Sequence, residues 1–180
     1  MRLILFITFL LLFCDVFAQQ DEIVPITKAT NEELTFHKFM NDSVSRVELI
    51  SIRSSSTSNN YYPRSIIKTE GIQWNHVRLE SRLDTSKWEQ LITVFETAQP
   101  IETGVRLCYE PRNGILFYSK TGEILSYLEL CFECNMRRSI GLIRYGNGPN
   151  LTDEQYESLK TLFIESGVEI PEPEYLQKPD

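Results

Sequence analysis

Between Val44 and Ile52 apolar and polar residues alternate, with Val47 and Leu49, and Val44 ahead of them, set against Arg46 and Glu48. A period of two predicts a strand with one buried face. Ser65 to Thr69 and Ile72 to Leu83 read as further strands. In the second, Val77, Leu79 and Leu83 fall on one side while Arg78, Glu80 and Arg82 fall on the other. Ser54 to Asn60 contains only Ser, Thr and Asn, has no apolar area to bury, and predicts a loop.

At Trp88 the period changes. Trp88, Leu91, Ile92 and Phe95 stand at i, i+3, i+4 and i+7, one face of a helix near 85 to 97, with Asp84, Thr85 or Ser86 as its cap. A hairpin follows: Ile115 to Ser119 and Glu123 to Cys131 are strands, and Lys120-Thr121-Gly122 suits a type I turn with Gly122 in the left-handed position. Ile140 to Tyr145 predicts another strand and Gly146 to Asn150 a turn. A second helix spans about 152 to 166, opened by Thr152 and Gln155 as a capping box and closed by Gly167. Nearer the start, Asn31 to Met40 predicts a short helix capped by Thr30.

The two long helices resemble each other. Leu83, Trp88, Glu89, Leu91, Thr93, Val94 and Phe95 align at a constant offset with Leu151, Tyr156, Glu157, Leu159, Thr161, Leu162 and Phe163. Either a strand-strand-helix unit has been duplicated, or the helical period alone repeats Leu and Phe. Both readings predict an α+β domain: an antiparallel sheet with two helices on one face.

The first residues change the picture from a domain to an exported domain. Arg2 is followed by an apolar run from Leu3 to Phe13, then Val16-Phe17-Ala18 and Gln19-Gln20, the order of a secretory signal cleaved after Ala18. The run is shorter than the roughly 20 residues that span a bilayer, so the chain is expected not to span a membrane. A lipoprotein anchored through Cys14 is the alternative, although Phe13 is a poor residue to precede such a cleavage. The expected organisation is a signal at 1–18, a polar N-terminal segment at 19–43, one domain at 44–170 and an extended Pro- and Glu-rich tail at 171–180, in the periplasm or secreted.

Charge then removes a class of partner. The net charge is −7, and the signal's single Arg and single Asp leave that balance unchanged. An acidic chain repels phosphate backbones, so nucleic acid is not an expected partner.

Beyond the signal stand three cysteines, Cys108, Cys131 and Cys134. If Ser119 pairs with Glu123, Ile115 faces Tyr127, Phe117 faces Leu125 and Cys108 faces Cys134. A bulge at Pro111, which has no N–H for the ladder, would instead bring Cys108 towards Cys131 or Phe132. Three chemistries fit. The first is a disulfide from Cys108 to Cys131 or Cys134, worth about 3 kcal/mol by chain entropy. The second is zinc held by the three thiolates with His76 or His37. The third is redox chemistry at Cys131-Phe132-Glu133-Cys134, against which stand its place at a strand end rather than a helix N-terminus and the negative charge of Glu133.

Cys108-Tyr109-Glu110-Pro111-Arg112-Asn113-Gly114-Ile115, Phe117-Tyr118, Gly122 and Cys131-Phe132-Glu133-Cys134 together resemble a group of small exported bacterial proteins of uncharacterised function. These share a Cys-x-x-Pro-Arg-His hairpin that ends in Cys-Phe-x-Cys. The resemblance covers roughly residues 105 to 166 and implies a fold and an exported location, with no activity. The chain carries Asn113 where the group has His, so a role resting on that His does not transfer.

Other candidates carry less. His76, beside Trp74 and Val77, reads as a packed or surface histidine. Arg112 could contact an anion, or pair with Glu110 or Glu129. Arg137-Arg138 reads as a solvated turn. Asn41-Asp42-Ser43 and Asn150-Leu151-Thr152 match the glycosylation sequon, though Thr152 is needed as a cap. Without a Gly-x-Ser-x-Gly, a phosphate-cradling Gly loop or a His-Glu-x-x-His, the expected function is a non-enzymatic extracytoplasmic binding or structural module without a cofactor. Zinc binding and thiol redox are the alternatives.

Overall fold

The computed structural model describes residues 23–24, 35–52, 67–68, 71–96, 110–141 and 151–171. In chain order these form β1 (Ile23–Val24), α1 (Phe36–Asp42), β2 (Arg46–Ile52), β3 (Ile67–Lys68), β4 (Gly71–Gln73), β5 (Val77–Arg82), α2 (Trp88–Glu96), β6 (Asn113–Tyr118), β7 (Ile124–Cys131), β8 (Met136–Gly141) and α3 (Asp153–Glu165). The signal with Cys14, the Ser54–Asn60 loop, Cys108, the Gly146–Asn150 turn and tail residues 172–180 lie outside the described residues.

Five strands make one antiparallel sheet in the order β5-β2-β6-β7-β8, and β1-β4-β3 make a small second one. The fold is therefore α+β, as the alternation predicts. The topology does not confirm a duplicated unit: α2 follows an edge strand paired to β2, whereas α3 follows the three-stranded meander β6-β7-β8.

All three helices pack with one sheet face. Phe36 and Phe39 of α1, Leu91, Ile92 and Phe95 of α2, and Leu159, Leu162 and Phe163 of α3 meet Val47, Leu49, Ile115, Phe117, Leu128 and Leu130 from the strands. Phe36 lies 4.8 Å from Phe95 and edge-on to Phe117 at 5.9 Å between ring centroids, a spacing at which aromatic pairs attract. The first helix opens at Thr35, not Thr30, because the Thr35 side chain accepts from the Lys38 N–H. A single 3-10 turn capped by Asp84 leads into α2. Thr152 and Gln155 form the expected capping box on α3, and Gln155 also donates to the Val94 carbonyl at 2.9 Å. One side chain thus closes one helix start and ties it to another helix's last turn.

The opposite face carries Ile50, Ile52, Leu116, Tyr118, Ile124 and Tyr127, with Ile72 and half-buried Trp74 and Val77 packed over them. So β2 is covered on both sides from Ile50 onward, and the half-buried alternation holds only over its first residues. The predicted strand from Ile72 to Leu83 is broken by a 3-10 turn at Trp74–His76. Val77 does not share the face of Leu79 and Leu83: Val77 joins the second cluster and Leu83 the helix-face core, while Leu79, in register with Leu83, is 39% exposed. The cause is a bulge at Arg78, since Ser51 pairs with Leu79 and Ile52 with Val77. One extra residue shifts the alternation by one.

The central hairpin turns where expected. Ser119 N–H donates to the Glu123 carbonyl at 2.9 Å, and Gly122 has φ +86°. Among the described residues no helix is long and apolar enough to cross a membrane.

Candidate functional site

The C-x-x-C lies on the turn between β7 and β8. Cys131 is the last residue of β7 and pairs with Met136, leaving Phe132 to Asn135 as the turn. Asn135 takes φ +47°, the left-handed region that Asn tolerates better than most residues. Two contacts fasten this turn to α3. Phe132 packs edge-on against Phe163 at 5.6 Å and Tyr156 at 6.5 Å, and the Asn135 side-chain amide donates to Asp153 at 2.6 Å.

The hairpin register decides what faces Cys131. A straight ladder from the turn would pair Phe117 with Leu125 and Ile115 with Tyr127. Instead Tyr118 pairs with Ile124, Phe117 with Ser126 and Ile115 with Leu128. A bulge sits at Leu125, beside the turn. The last ladder pair is Asn113 with Leu130. The ladder continues through Arg112: its N–H donates to the Leu130 carbonyl at 3.3 Å, and its carbonyl accepts from the Ile52 N–H at 2.7 Å. By strand alternation Arg112 and Cys131 share the face of Tyr127 and Glu129, away from the helices.

Arg112 is an ion-pair residue, as one of its readings holds. Its buried guanidinium pairs with Glu133 and, at 3.5 Å, with Glu110, whereas the sequence offered Glu110 or Glu129. The Glu110 contact is made through Nη1 and is an ion pair without hydrogen-bond geometry.

Cys131 and Cys134 are both 1% exposed, with sulfurs 2.7 Å apart. An S–S bond is about 2.05 Å, so among the described residues no disulfide stands at bonding distance, and the pair is a dithiol. The Cys134 thiol donates towards the Cys131 sulfur and holds its pKa down to about 6 from an ordinary 9.0. Burial pushes the other way, while backbone N–H groups of Glu110, Cys134 and Glu133 add to the lowering. The sequence expectation was the reverse, that a strand-end position and Glu133 would keep this thiol's pKa high. The structure corrects it: hydrogen bonds to sulfur replace the missing helix N-terminus, and Glu133 is tied to Arg112.

Cys108, the third expected thiol, lies outside the described residues, so its approach to the C-x-x-C does too. His76 stands in the 3-10 turn before β5, three strands from β7 in sheet order, and His37 is exposed on α1. Among the described residues no three His, Cys, Asp or Glu side chains are grouped to hold a metal ion. Arg137 is corrected outright. It is not in a solvated turn but in β8, 1% exposed, with its guanidinium 5.8 Å from the Phe95 ring centroid on the helix face. Glu129 is buried as well. The signal for Glu129 was available, because Leu125, Tyr127, Leu128 and Leu130 around it read as a strand covered on both faces. No pattern marked Arg137, since Arg-Arg-Ser is the composition of an exposed edge.

No known protein family, curated protein or solved structure matches the chain.

Proposed function

We propose that this chain is an exported module that carries a reversible dithiol–disulfide couple at Cys131 and Cys134. One observation carries the reading: the two sulfurs are 2.7 Å apart, with the Cys134 thiol donating to a Cys131 sulfur whose pKa is drawn down to about 6. A thiolate next to a thiol is the pair from which a disulfide forms, once an acceptor takes two electrons and two protons. The burial of both sulfurs favours a second reading, in which the module is a non-enzymatic binding or structural domain and the pair only staples the turn.

The experiment follows the reduced, folded protein through oxidation and re-reduction. Intact mass counts the two hydrogens lost, and peptide mapping assigns the bond. Cycling of Cys131–Cys134 without unfolding supports the couple; a bond that resists reduction until the domain unfolds supports the staple. A pH titration of the reduced protein checks the cause. Because the folded thiol is more acidic than the unfolded one, the native state binds fewer protons across the window from about 6 to 9.0. Its contribution to stability is therefore full above 9.0 and is lost as pH falls through about 6, read as a falling denaturation midpoint together with falling thiolate absorbance.

A further inference from the structure

We infer that Asn135 and Asp153 are positioning residues for the Cys131 sulfur: their side-chain hydrogen bond, made from the first residue of α3, fixes the shape of the β7–β8 turn around it. This rests on the dithiol reading above and names what controls that pair. The spacing comes first. Cys131 accepts from the N–H groups of Glu133 and Cys134, two and three residues further on. A helix cap uses the same spacing, with a side chain ahead of the first turn accepting from the N–H groups two and three positions later. Here no helix follows. The chain makes one turn and reverses into β8, where Met136 pairs back with Cys131. The reversal runs through Asn135 at φ +47°, a conformation that few side chains other than Asn and Asp hold readily.

A turn that no helix continues has to be held from outside, and two contacts hold this one. At its start Phe132 packs edge-on against Phe163 and Tyr156. At its end the Asn135 amide donates to Asp153 at 2.6 Å, a charge-assisted bond. Asp153 is itself well anchored, since the capping box closes the start of α3 and Gln155 ties it to the Val94 carbonyl. Between the two fixed ends lie Glu133 and Cys134. The Glu133 side chain is engaged with Arg112, so what this residue offers the sulfur is its N–H. An N–H aimed at the sulfur stabilises the thiolate and with it the reduced pair, so a turn loosened from α3 would hold its disulfide more firmly.

Asp153 is also an anion, and sign separates the two ways it could act. As a charge it opposes a thiolate, so its removal would make Cys131 more acidic. As the anchor of Asn135 it favours the thiolate, so its removal would make Cys131 less acidic.

The test follows the Cβ NMR shift of Cys131 against pH in the reduced full chain, a reading that belongs to one thiol and needs no reagent to reach a buried sulfur. Arg112, Glu110, Glu129, Glu133 and Arg138, the charged residues at this end of the sheet, stay in every variant. Asp153→Ala and Asn135→Ala should each make Cys131 less acidic by about three- to ten-fold. Asp153→Asn keeps an acceptor oxygen for Asn135 and should retain wild-type acidity. Asn135→Gly keeps the left-handed backbone, loses the amide, and should fall between wild type and Asn135→Ala. Thr152→Ala weakens the start of α3 without removing either partner and should match wild type. A more acidic Cys131 in Asp153→Ala means that Asp153 acts by its charge and overturns the inference. Unchanged acidity in both alanine variants overturns it too, and an equal shift in Thr152→Ala reduces the contact to general support of the fold. Ordinary acidity of Cys131 in the wild-type chain removes the dithiol reading itself, which keeps that failure apart from one confined to the variants. Asp153 is exposed, so its two variants carry the test even if Asn135→Ala misfolds.

Discussion

The two faces of the five-stranded sheet are built from different materials. On the helix face three amphipathic helices lay Phe36, Phe39, Phe95 and Phe163 onto Val47, Leu49, Phe117 and Leu130, and Arg137 is the buried charged residue that joins them, set against Phe95. The opposite face has a smaller apolar group around Ile50, Leu116 and Tyr127, and at one end of it lie Arg112, Glu129 and Cys131, all buried. Burying apolar area stabilises in proportion to the area removed from water, whereas each buried charge or thiol must first recover its lost hydration from a partner. The helix face thus carries the larger apolar core, and the other face gathers a buried ion pair and a buried thiol at its β7–β8 end.

That division can be broken by substitution. The largest effect expected is on the helix face: Phe117→Ala, at the centre of the aromatic contacts, should cost about 3–5 kcal/mol, and Leu116→Ala, its neighbour on the other face, about 2–3 kcal/mol, both from chemical denaturation. Equal losses would remove the energetic half of the comparison. Next comes Gly114→Ala. A Cβ there would stand 2.5 Å from the Tyr127 ring, which lies over this glycine on the second face. The ring must move, and we expect a loss of about 1–3 kcal/mol with altered Tyr127 resonances; an unchanged midpoint would mean that this face is loosely packed. Thr152→Ala removes the α3 cap at about 1 kcal/mol and should leave Cys131 acidity unchanged, as a helix-face element that touches the thiols only through the turn. The smallest effect belongs to Glu133→Gln. Its side chain is 32% exposed and Arg112 keeps Glu110, so a change under about 1 kcal/mol, shrinking further in high salt, is expected in the same denaturation experiment. A larger loss would mean that the ion pair, not packing, holds this end of the sheet.

Much of the helix face could be read directly. Trp88, Leu91, Ile92 and Phe95 announce α2, and Thr152 with Gln155 and Gly167 announce both ends of α3, because capping and the helical period are local effects with fixed spacing. The second face was harder to read. Its cover comes from Ile72, Trp74 and Val77, on short elements whose own pattern does not say where they will dock. The candidate site was legible as a motif and illegible as an environment. Cys131 and Cys134 were identifiable from spacing, but the lowered thiol pKa depends on backbone N–H groups of Glu110 and Glu133 and on the direction of the Cys134 thiol.

What the sequence by itself determined is whatever depends on near neighbours: the alternating strands, the two capped helices, the turn at Gly122 and the presence of a C-x-x-C. What only the tertiary structure decided is whatever depends on register and docking. An extra residue at Leu125 pairs Phe117 with Ser126 rather than with Leu125, and a bulge at Arg78 parts Val77 from Leu83. Packing of the helices onto the sheet encloses Arg137, which the sequence leaves in solvent. The physical reason is the same in each case. A strand's side chains alternate with period two, so a one-residue slip exchanges the two faces. The energy that selects the slip lies in side chains far along the chain, where no local pattern records it.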